Sequence, residues 1–236
     1  SSRWMEGEAP LLAALRRVLE RPEHAAVRAR TSLITYGRDD AVTADYCARC
    51  DARIVWGGDA TVAAVRAMPM PPHAVELCFP DRWSLAVFSQ RAFSALTPEE
   101  RGALAHRFYN DTYQMDQNAC SSPQLVLWLE DGGDPACRAR WWEAVAAEAA
   151  ERYPFGPFQA ARKLERLCLC AMTMEQPSVA AVERYQGNLL YVARLAGLSG
   201  SLPSLAGGFG LFFEAALPSL EALAPLLPPK AQTLVC

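Results

Sequence analysis

The residues best placed to do chemistry surround Cys120. They read Asp116-Gln117-Asn118-Ala119-Cys120-Ser121-Ser122-Pro123-Gln124, a polar loop between an apolar helical pattern and an apolar strand pattern. Small, hydrogen-bonding neighbours leave room for a substrate carbonyl, and their backbone N–H groups could hold a developing oxyanion. A thiolate of lowered pKa is a strong nucleophile. The expected chemistry is a covalent S-acyl intermediate on Cys120, with Asn118 counted in the catalytic group. The competing reading is a small buried residue beside a helix end. That suits Cys168 and Cys170, which lie in apolar patterns, better than Cys120 with its flanks Asn118, Ser121 and Ser122. His24, His73 and His106 are scattered, so no spacing supports a Cys–His pair.

Two further constellations precede the loop. Glu76 lies in Ala74-Val75-Glu76-Leu77-Cys78-Phe79. Apolar neighbours desolvate a carboxylate and raise its pKa toward the range of a general base; the alternative is an edge-strand glutamate facing water. Gly57-Gly58-Asp59-Ala60-Thr61 falls where a strand becomes a helix. Glycines there let backbone approach a phosphate, and a helix N-terminus favours an anion. Such turns also use glycine for geometry alone, and this one does not match G-x-G-x-x-G. Asp111 and Asp116 read as solvated or capping residues, and Arg162-Lys163 as a charged helix face.

The elements that must position these groups alternate. Helical spacing covers 11–19, 40–50 and 60–68, and strand patterns cover 31–36 and 52–56. This alternation points to a parallel sheet with crossovers. Pro69, Pro71 and Pro72 form a stiff connector. Strands are predicted at 74–79, 83–88, 124–129, 188–195, 211–217 and 232–235. Helices are predicted at 98–109, with Thr97 as N-cap, and at 135–152, 158–172, 178–185 and 219–227. The expected fold class is α/β, with a partial nucleotide-binding domain over 1–78 and a catalytic domain over 79–236. Only two clear strands fall in the first part, where an open nucleotide-binding sheet carries more, and both chain ends read as cut.

Composition narrows the function. Of 236 residues 51% are hydrophobic, enough for a sizeable core, and net charge is −3 with no basic block. That argues against nucleic acid as the main partner. No run of about 18 uncharged apolar residues suggests a membrane span, and the start carries no signal core or lipidation motif. The eight cysteines mostly sit in apolar patterns, which fits reduced thiols in a cytoplasmic protein. Cys47-Ala48-Arg49-Cys50 is a C-x-x-C without a second ligand pair, so no metal site is expected.

The order strand-Gly-Gly-helix, Val-Glu-Leu, Asn-Ala-Cys loop resembles the aldehyde dehydrogenase superfamily, and within it the LuxC-type acyl-CoA reductases. The resemblance rests on 54–61, on 71–77, on Phe79-Pro80-Asp81-Arg82-Trp83-Ser84-Leu85-Ala86-Val87 and on 116–124. It implies an aldehyde dehydrogenase-like fold with part of a Rossmann-like cofactor domain plus an α/β catalytic domain. It implies Cys120 as the acylated nucleophile, Glu76 at the superfamily's glutamate, and Gly57, Gly58 and Thr61 on the cofactor-facing turn. The implied reaction is NADPH-dependent reduction of a fatty-acyl thioester, on CoA or an acyl-carrier protein, to an aldehyde. The rest of the cofactor sheet and an asparagine oxyanion donor would lie outside this chain. The expected partners are the acyl-CoA or acyl-carrier protein substrate and a homo-oligomer or complementary chain; the alternative functions are a catalytically incomplete fragment or subunit needing a partner chain, and an aldehyde oxidiser.

Overall fold

The computed structural model describes residues 8–34, 36, 37, 39–173, 178–198 and 202–235. The chain forms two compact units, Ser1–Pro80 and Asp81–Cys236. In the first, helices α1 (Glu8–Leu19), α2 (Ala25–Arg28) and α3 (Asp40–Arg49) precede strand β1 (Ala52–Trp56), helix α4 (Asp59–Arg66) and strand β2 (Val75–Phe79). Asp39 caps α3, its carboxylate accepting from Ala41 N–H at 3.0 Å and Val42 N–H at 3.2 Å. β1 and β2 pair in parallel with Arg53 opposite Glu76. One face of this pair buries Val55; the other presents Ile54, Trp56, Val75 and Leu77 to solvent.

The predicted strand over 31–36 is not formed. Residues 31–34 carry no regular structure and are exposed, and residue 35 lies outside the described residues. Strands need a ladder partner for their N–H and C=O groups. β-branched content made this stretch look extended, but β1 pairs with β2.

The second unit is built on a six-stranded sheet. Its elements are β3 (Trp83–Ser89), α5 (Gln90–Ser94), α6 (Pro98–Thr112), β4 (Pro123–Leu129), α7 (Cys137–Arg152), α8 (Pro157–Thr173), β5 (Val179–Tyr185), β6 (Leu190–Leu195), β7 (Leu211–Leu217) and β8 (Ala231–Val235). The spatial order is β5-β6-β7-β4-β3-β8, all parallel neighbours except the antiparallel edge pair β5–β6. Both faces are covered. Ala86, Phe88, Val126, Trp128, Val192 and Phe212 pack with Phe108, Trp141 and Trp142 on one side. Leu85, Val87, Leu125, Leu127, Ala193 and Phe213 pack with Cys170, Leu202, Leu205 and Leu223 on the other. Double coverage explains why these strands are apolar at nearly every position rather than alternating. Thr97 and Glu100 complete a capping box at the start of α6, with N–H to side-chain distances of 3.2 and 2.8 Å.

Two tail elements differ from expectation. Of residues 178–185, read as helical, Val179–Tyr185 form β5, because Gln186 and Gly187 adopt φ of 49° and 66° and turn the chain back onto β6. The helix-forming Ala, Glu and Arg of this stretch obscured a period-2 burial pattern. The helix expected over 219–227 is a series of turns ending in a 3-10 turn, Ala224–Leu226. Pro225 lacks the N–H that an α-helix needs there.

Candidate active site

The Cys120 loop joins α6 to β4. After α6 the chain makes a 3-10 turn, Tyr113–Met115, and then places Asp116 and Gln117 in the left-handed region with φ of 52° and 59°. Two such non-glycine residues in a row are strained and are held from several sides. Gln117 N–H bonds Thr112 O at 2.8 Å, Phe209 N–H bonds Asp116 O at 3.1 Å, and the Tyr153 hydroxyl donates to the Asp116 carboxylate. Burial, and then that carboxylate, push the Tyr153 phenol up, so it stays a donor. Asp116, expected as a solvated or capping residue, does cap the 3-10 turn, its N–H donating to Tyr113 O at 3.1 Å, and its half-buried carboxylate also accepts from Tyr153.

Downstream, the Ser84 hydroxyl of β3 donates to Cys120 O at 2.7 Å, and the Ser122 hydroxyl donates to Asp111 O at 2.6 Å. Gln124 Nε2 donates to Gln117 O and Ser122 O at 3.0 and 3.2 Å. Asn118 Nδ2 donates to Met115 O at 3.1 Å, while Asn118 Oδ1 accepts from Arg166 Nη2 at 3.0 Å. Arg166 also donates to Gly207 O and lies over the Phe209 ring, 4.9 Å from its centroid. Between these ties, Asn118, Cys120 and Ser121 are exposed. Among the described residues the N–H groups of Ala119, Cys120 and Ser121 have no hydrogen-bond acceptor. A reachable sulfur beside an open amide can attack a carbonyl and hold the resulting oxyanion. The loop lies where β3, β4 and β7 begin: Ser84 makes the first ladder pair of β3 with β4, opposite Pro123, which opens β4, and residues 207–210 lead into β7.

No hydrogen bond among the described residues joins a histidine to Cys120. His106 pairs with Glu148 at 2.5 Å and His73 with Asp51 at 3.1 Å. Lys163, read as part of a charged helix face, is instead fully buried. Its Nζ donates to Asn188 O and Leu189 O and lies 4.5 Å from the Phe155 ring centroid. Burial pulls its pKa down to about 7.

In the first unit, Glu76 is not the desolvated, raised-pKa carboxylate of the sequence reading. Arg53 Nε donates to Oε2 at 2.8 Å, its Nη2 donates to the same oxygen, and Arg66 Nε lies 2.9 Å from Oε1. The Arg53 hydrogen bonds hold the carboxyl below the ordinary glutamate range despite partial burial. The pairing follows from the register that sets Arg53 opposite Glu76, a relation across 23 residues of sequence. Gly57 donates its N–H to Phe79 O at 3.2 Å, and Gly58 is the N-cap of α4 with no side-chain cap hydrogen bond. Thr61 stands one turn into α4, and a Cβ on Gly57 would meet its side chain at 3.2 Å. The turn is therefore tight and glycine-lined.

Sequence reasoning singled out Cys120, Asn118, Glu76 and the glycine turn as candidates. It missed Ser84, Gln117, Tyr153, Arg166 and the segment 207–210, whose roles depend on contacts between residues far apart in sequence.

Solved structures of similar fold include proline utilization A from Bradyrhizobium japonicum, 15% identical, TM-score 0.56, covering 92% of this chain and 22% of that one. An NADP-dependent glyceraldehyde-3-phosphate dehydrogenase from Bacillus halodurans, solved with NADP, is 11% identical with TM-score 0.51, covering 81% and 40%. Aldehyde dehydrogenase C from Pseudomonas syringae, solved with NAD+ and octanal, is 13% identical with TM-score 0.50, covering 78% and 40%. The chain thus spans between 22% and 40% of the length of these proteins. At these identities the likeness establishes an aldehyde dehydrogenase-like α/β fold. No curated protein matches the chain, and no described helix is long and apolar enough to cross a membrane. The family profile described as Acyl-CoA reductase (LuxC) matches residues 6–161, and the chain belongs to that family.

Proposed function

We propose that the intact protein reduces a fatty-acyl thioester, on CoA or an acyl-carrier protein, to an aldehyde through an S-acyl intermediate on Cys120. One observation carries the reading: an exposed cysteine on a loop pinned from both sides, with its own N–H lacking an acceptor among the described residues. The LuxC family assignment supports the substrate class.

In this reading the Cys120 thiolate attacks the thioester carbonyl carbon, a carbon–sulfur bond forms, and the π pair moves to oxygen. The Cys120 N–H and a donor outside this chain hold that oxyanion. Collapse breaks the bond to the CoA or carrier sulfur, which leaves as a thiolate and takes a proton from solvent. A nicotinamide cofactor, NADPH in this proposal, would when bound supply a hydride to the acyl carbon, leaving a tetrahedral thiohemiacetal anion on Cys120. Its collapse releases aldehyde and returns the electron pair to the Cys120 sulfur. Gly57, Gly58 and Thr61 would hold the cofactor's phosphate. Asn118 carries the Arg166 brace to within two positions of the nucleophile. Glu76 stands as the candidate base, an ionised carboxylate whose proton affinity Arg53 and Arg66 reduce. The NADP, and the NAD+ with octanal, in the two dehydrogenases named above support a nicotinamide cofactor and an aliphatic aldehyde product. The free thiols of the described cysteines are consistent with a cytoplasmic setting.

The test is intact mass after incubation with a panel of acyl thioesters. Cys120→Ser is expected to abolish the acyl adduct and Cys168→Ser to keep it; equal labelling of both variants ends the nucleophile assignment. A second reading, that cofactor-dependent turnover needs a complementary chain, is favoured by the two-stranded sheet with Ile54, Trp56, Val75 and Leu77 exposed. Tight NADPH binding by this chain alone argues against it.

A further inference from the structure

We propose that Gln117 is a positioning residue for Cys120, locking the nucleophile loop onto the glycine-shaped segment 207–211. The inference rests on the reading of Cys120 as the acylated nucleophile and names the device that aims it.

Gln117 lies three residues before Cys120, and only 2% of it is exposed. Both ends of its side-chain amide are used on main-chain groups 93 and 94 residues away: Gly210 N–H donates to Oε1 at 2.9 Å, and Nε2 donates to Leu211 O at 3.0 Å. The amide thus supplies one acceptor and one donor, as a neighbouring strand would, at the entry to β7. The segment is shaped to receive it. A Cβ on Gly207 would collide with Leu211 O and press on Gln117 Nε2 at 3.3 Å, and Gly210 has φ of 84°. Two more ties run alongside, Phe209 N–H to Asp116 O and the Arg166 bridge between Asn118 and Gly207 O. The left-handed pair at 116 and 117 sends the glutamine side chain inward and the following residues outward. Such strain persists only where surrounding contacts over-determine it. Here the contacts fix the backbone just before the open N–H groups of 119–121. Gln117 touches no reacting atom; it acts by setting where the Cys120 sulfur and N–H stand relative to a bound carbonyl.

The experiment compares two reactions of Cys120 in the intact protein, each followed by mass spectrometry. Alkylation by iodoacetamide demands little positioning; acylation by an acyl-CoA demands placement of both sulfur and amide. Gln117→Met, which removes both hydrogen bonds, is expected to alkylate within about twofold of wild type and to acylate roughly tenfold more slowly. Gln117→Glu keeps the shape but donates to Leu211 O only when protonated. Its acylation-to-alkylation ratio is expected to recover as pH falls from 8 to 6, while the wild-type ratio stays flat. Equal loss of both reactions, or no loss of acylation, overturns the proposal. If wild-type Cys120 alkylates but is never acylated, the nucleophile reading itself fails and the positioning role falls with it. Should Gln117→Met not fold, Gln117→Glu decides, together with amide exchange in the unaltered protein. Gly210 and Phe209 N–H exchanging as fast as an open loop would also overturn the proposal.

Discussion

Ser84→Ala is the sharpest single perturbation of the loop from the sheet side. The Ser84 hydroxyl is wholly buried and donates to Cys120 O at 2.7 Å, so β3 directly anchors the carbonyl of the nucleophile residue. A neutral hydrogen bond contributes about 0.5–1.5 kcal/mol net, and more when the abandoned acceptor stays dry. Cys120 is exposed, so water can reach the freed carbonyl and the cost sits near 1 kcal/mol. For a chain of this size that lowers Tm by roughly 2–4 °C. The effect on chemistry should be larger in proportion. Misplacing a reacting group by about 1 Å can cost on the order of a hundredfold, but Gln117, Asp116 and Asn118 still hold the loop. A threefold to tenfold slowing of Cys120 acylation is expected. The assay is single-turnover acylation by an acyl-CoA, read as intact mass, beside a thermal melt. A melt lowered by the stated amount with acylation unchanged would refute the reasoning, because the anchor would then serve stability alone.

Glu76→Gln is expected to slow NADPH-dependent aldehyde formation by about tenfold beyond any loss of folded protein. Equal losses would leave Glu76 a structural partner of Arg53. The same substitution changes acid stability. The Glu76 pKa is depressed in the folded state by Arg53, so the stability it contributes is present above the unfolded glutamate pKa and lost as pH falls through the folded one. Wild type should therefore lose stability on acidification more steeply than the variant, measured as urea midpoints from pH 6 to 3. Lys163 works in the opposite window. Its pKa near 7 means that between pH 7 and the unfolded lysine pKa only the unfolded chain holds the proton, so stability rises with pH there. Lys163→Met should flatten that rise between pH 7.5 and 9.5, and an unchanged slope would contradict the buried, largely neutral amine. Thr97→Ala breaks the capping box of α6 and is expected to cost about 1 kcal/mol, seen as a lower melting temperature.

What the sequence disclosed follows from the range of each interaction. The buried parallel strands β3, β4 and β7 announce themselves as continuous apolar runs, and Thr97-Pro98-Glu99-Glu100 announces its own helix start. Polar flanks set Cys120 apart, and it is exposed; Cys170 is buried as its apolar pattern suggests, but Cys168, read the same way, is exposed, because it lies on the outward side of α8. The misreadings came where a distant partner decides. Residues 31–34 are extended in composition but have no strand beside them. Residues 178–185 are helical in composition, yet the turn at Gln186-Gly187 gives them one. Glu76 has apolar neighbours in sequence, but Arg53 lies opposite it in the register and reverses the sign of its pKa shift. Lys163 follows an arginine on a helix, and only the β5–β6 connection, with its two carbonyls, reveals it as interior. The Gln117 latch spans more than 90 residues, and nothing local in 116–124 shows its far side.

The tryptophans among the described residues fall into two optical channels. Trp56 stands 78% exposed in β1, while Trp83 is 5% exposed and Trp128, Trp141 and Trp142 are 0% exposed around the larger sheet. Trp4 lies outside the described residues. Indole in water emits toward the red and is quenched by iodide; indole in hydrocarbon emits toward the blue and is shielded. Iodide should strip the Trp56 signal and leave emission dominated by the larger unit. Trp128 and Trp142 donate to the same oxygen of Glu214, at 2.9 and 2.5 Å, so the remaining blue fluorescence also watches that one buried carboxylate.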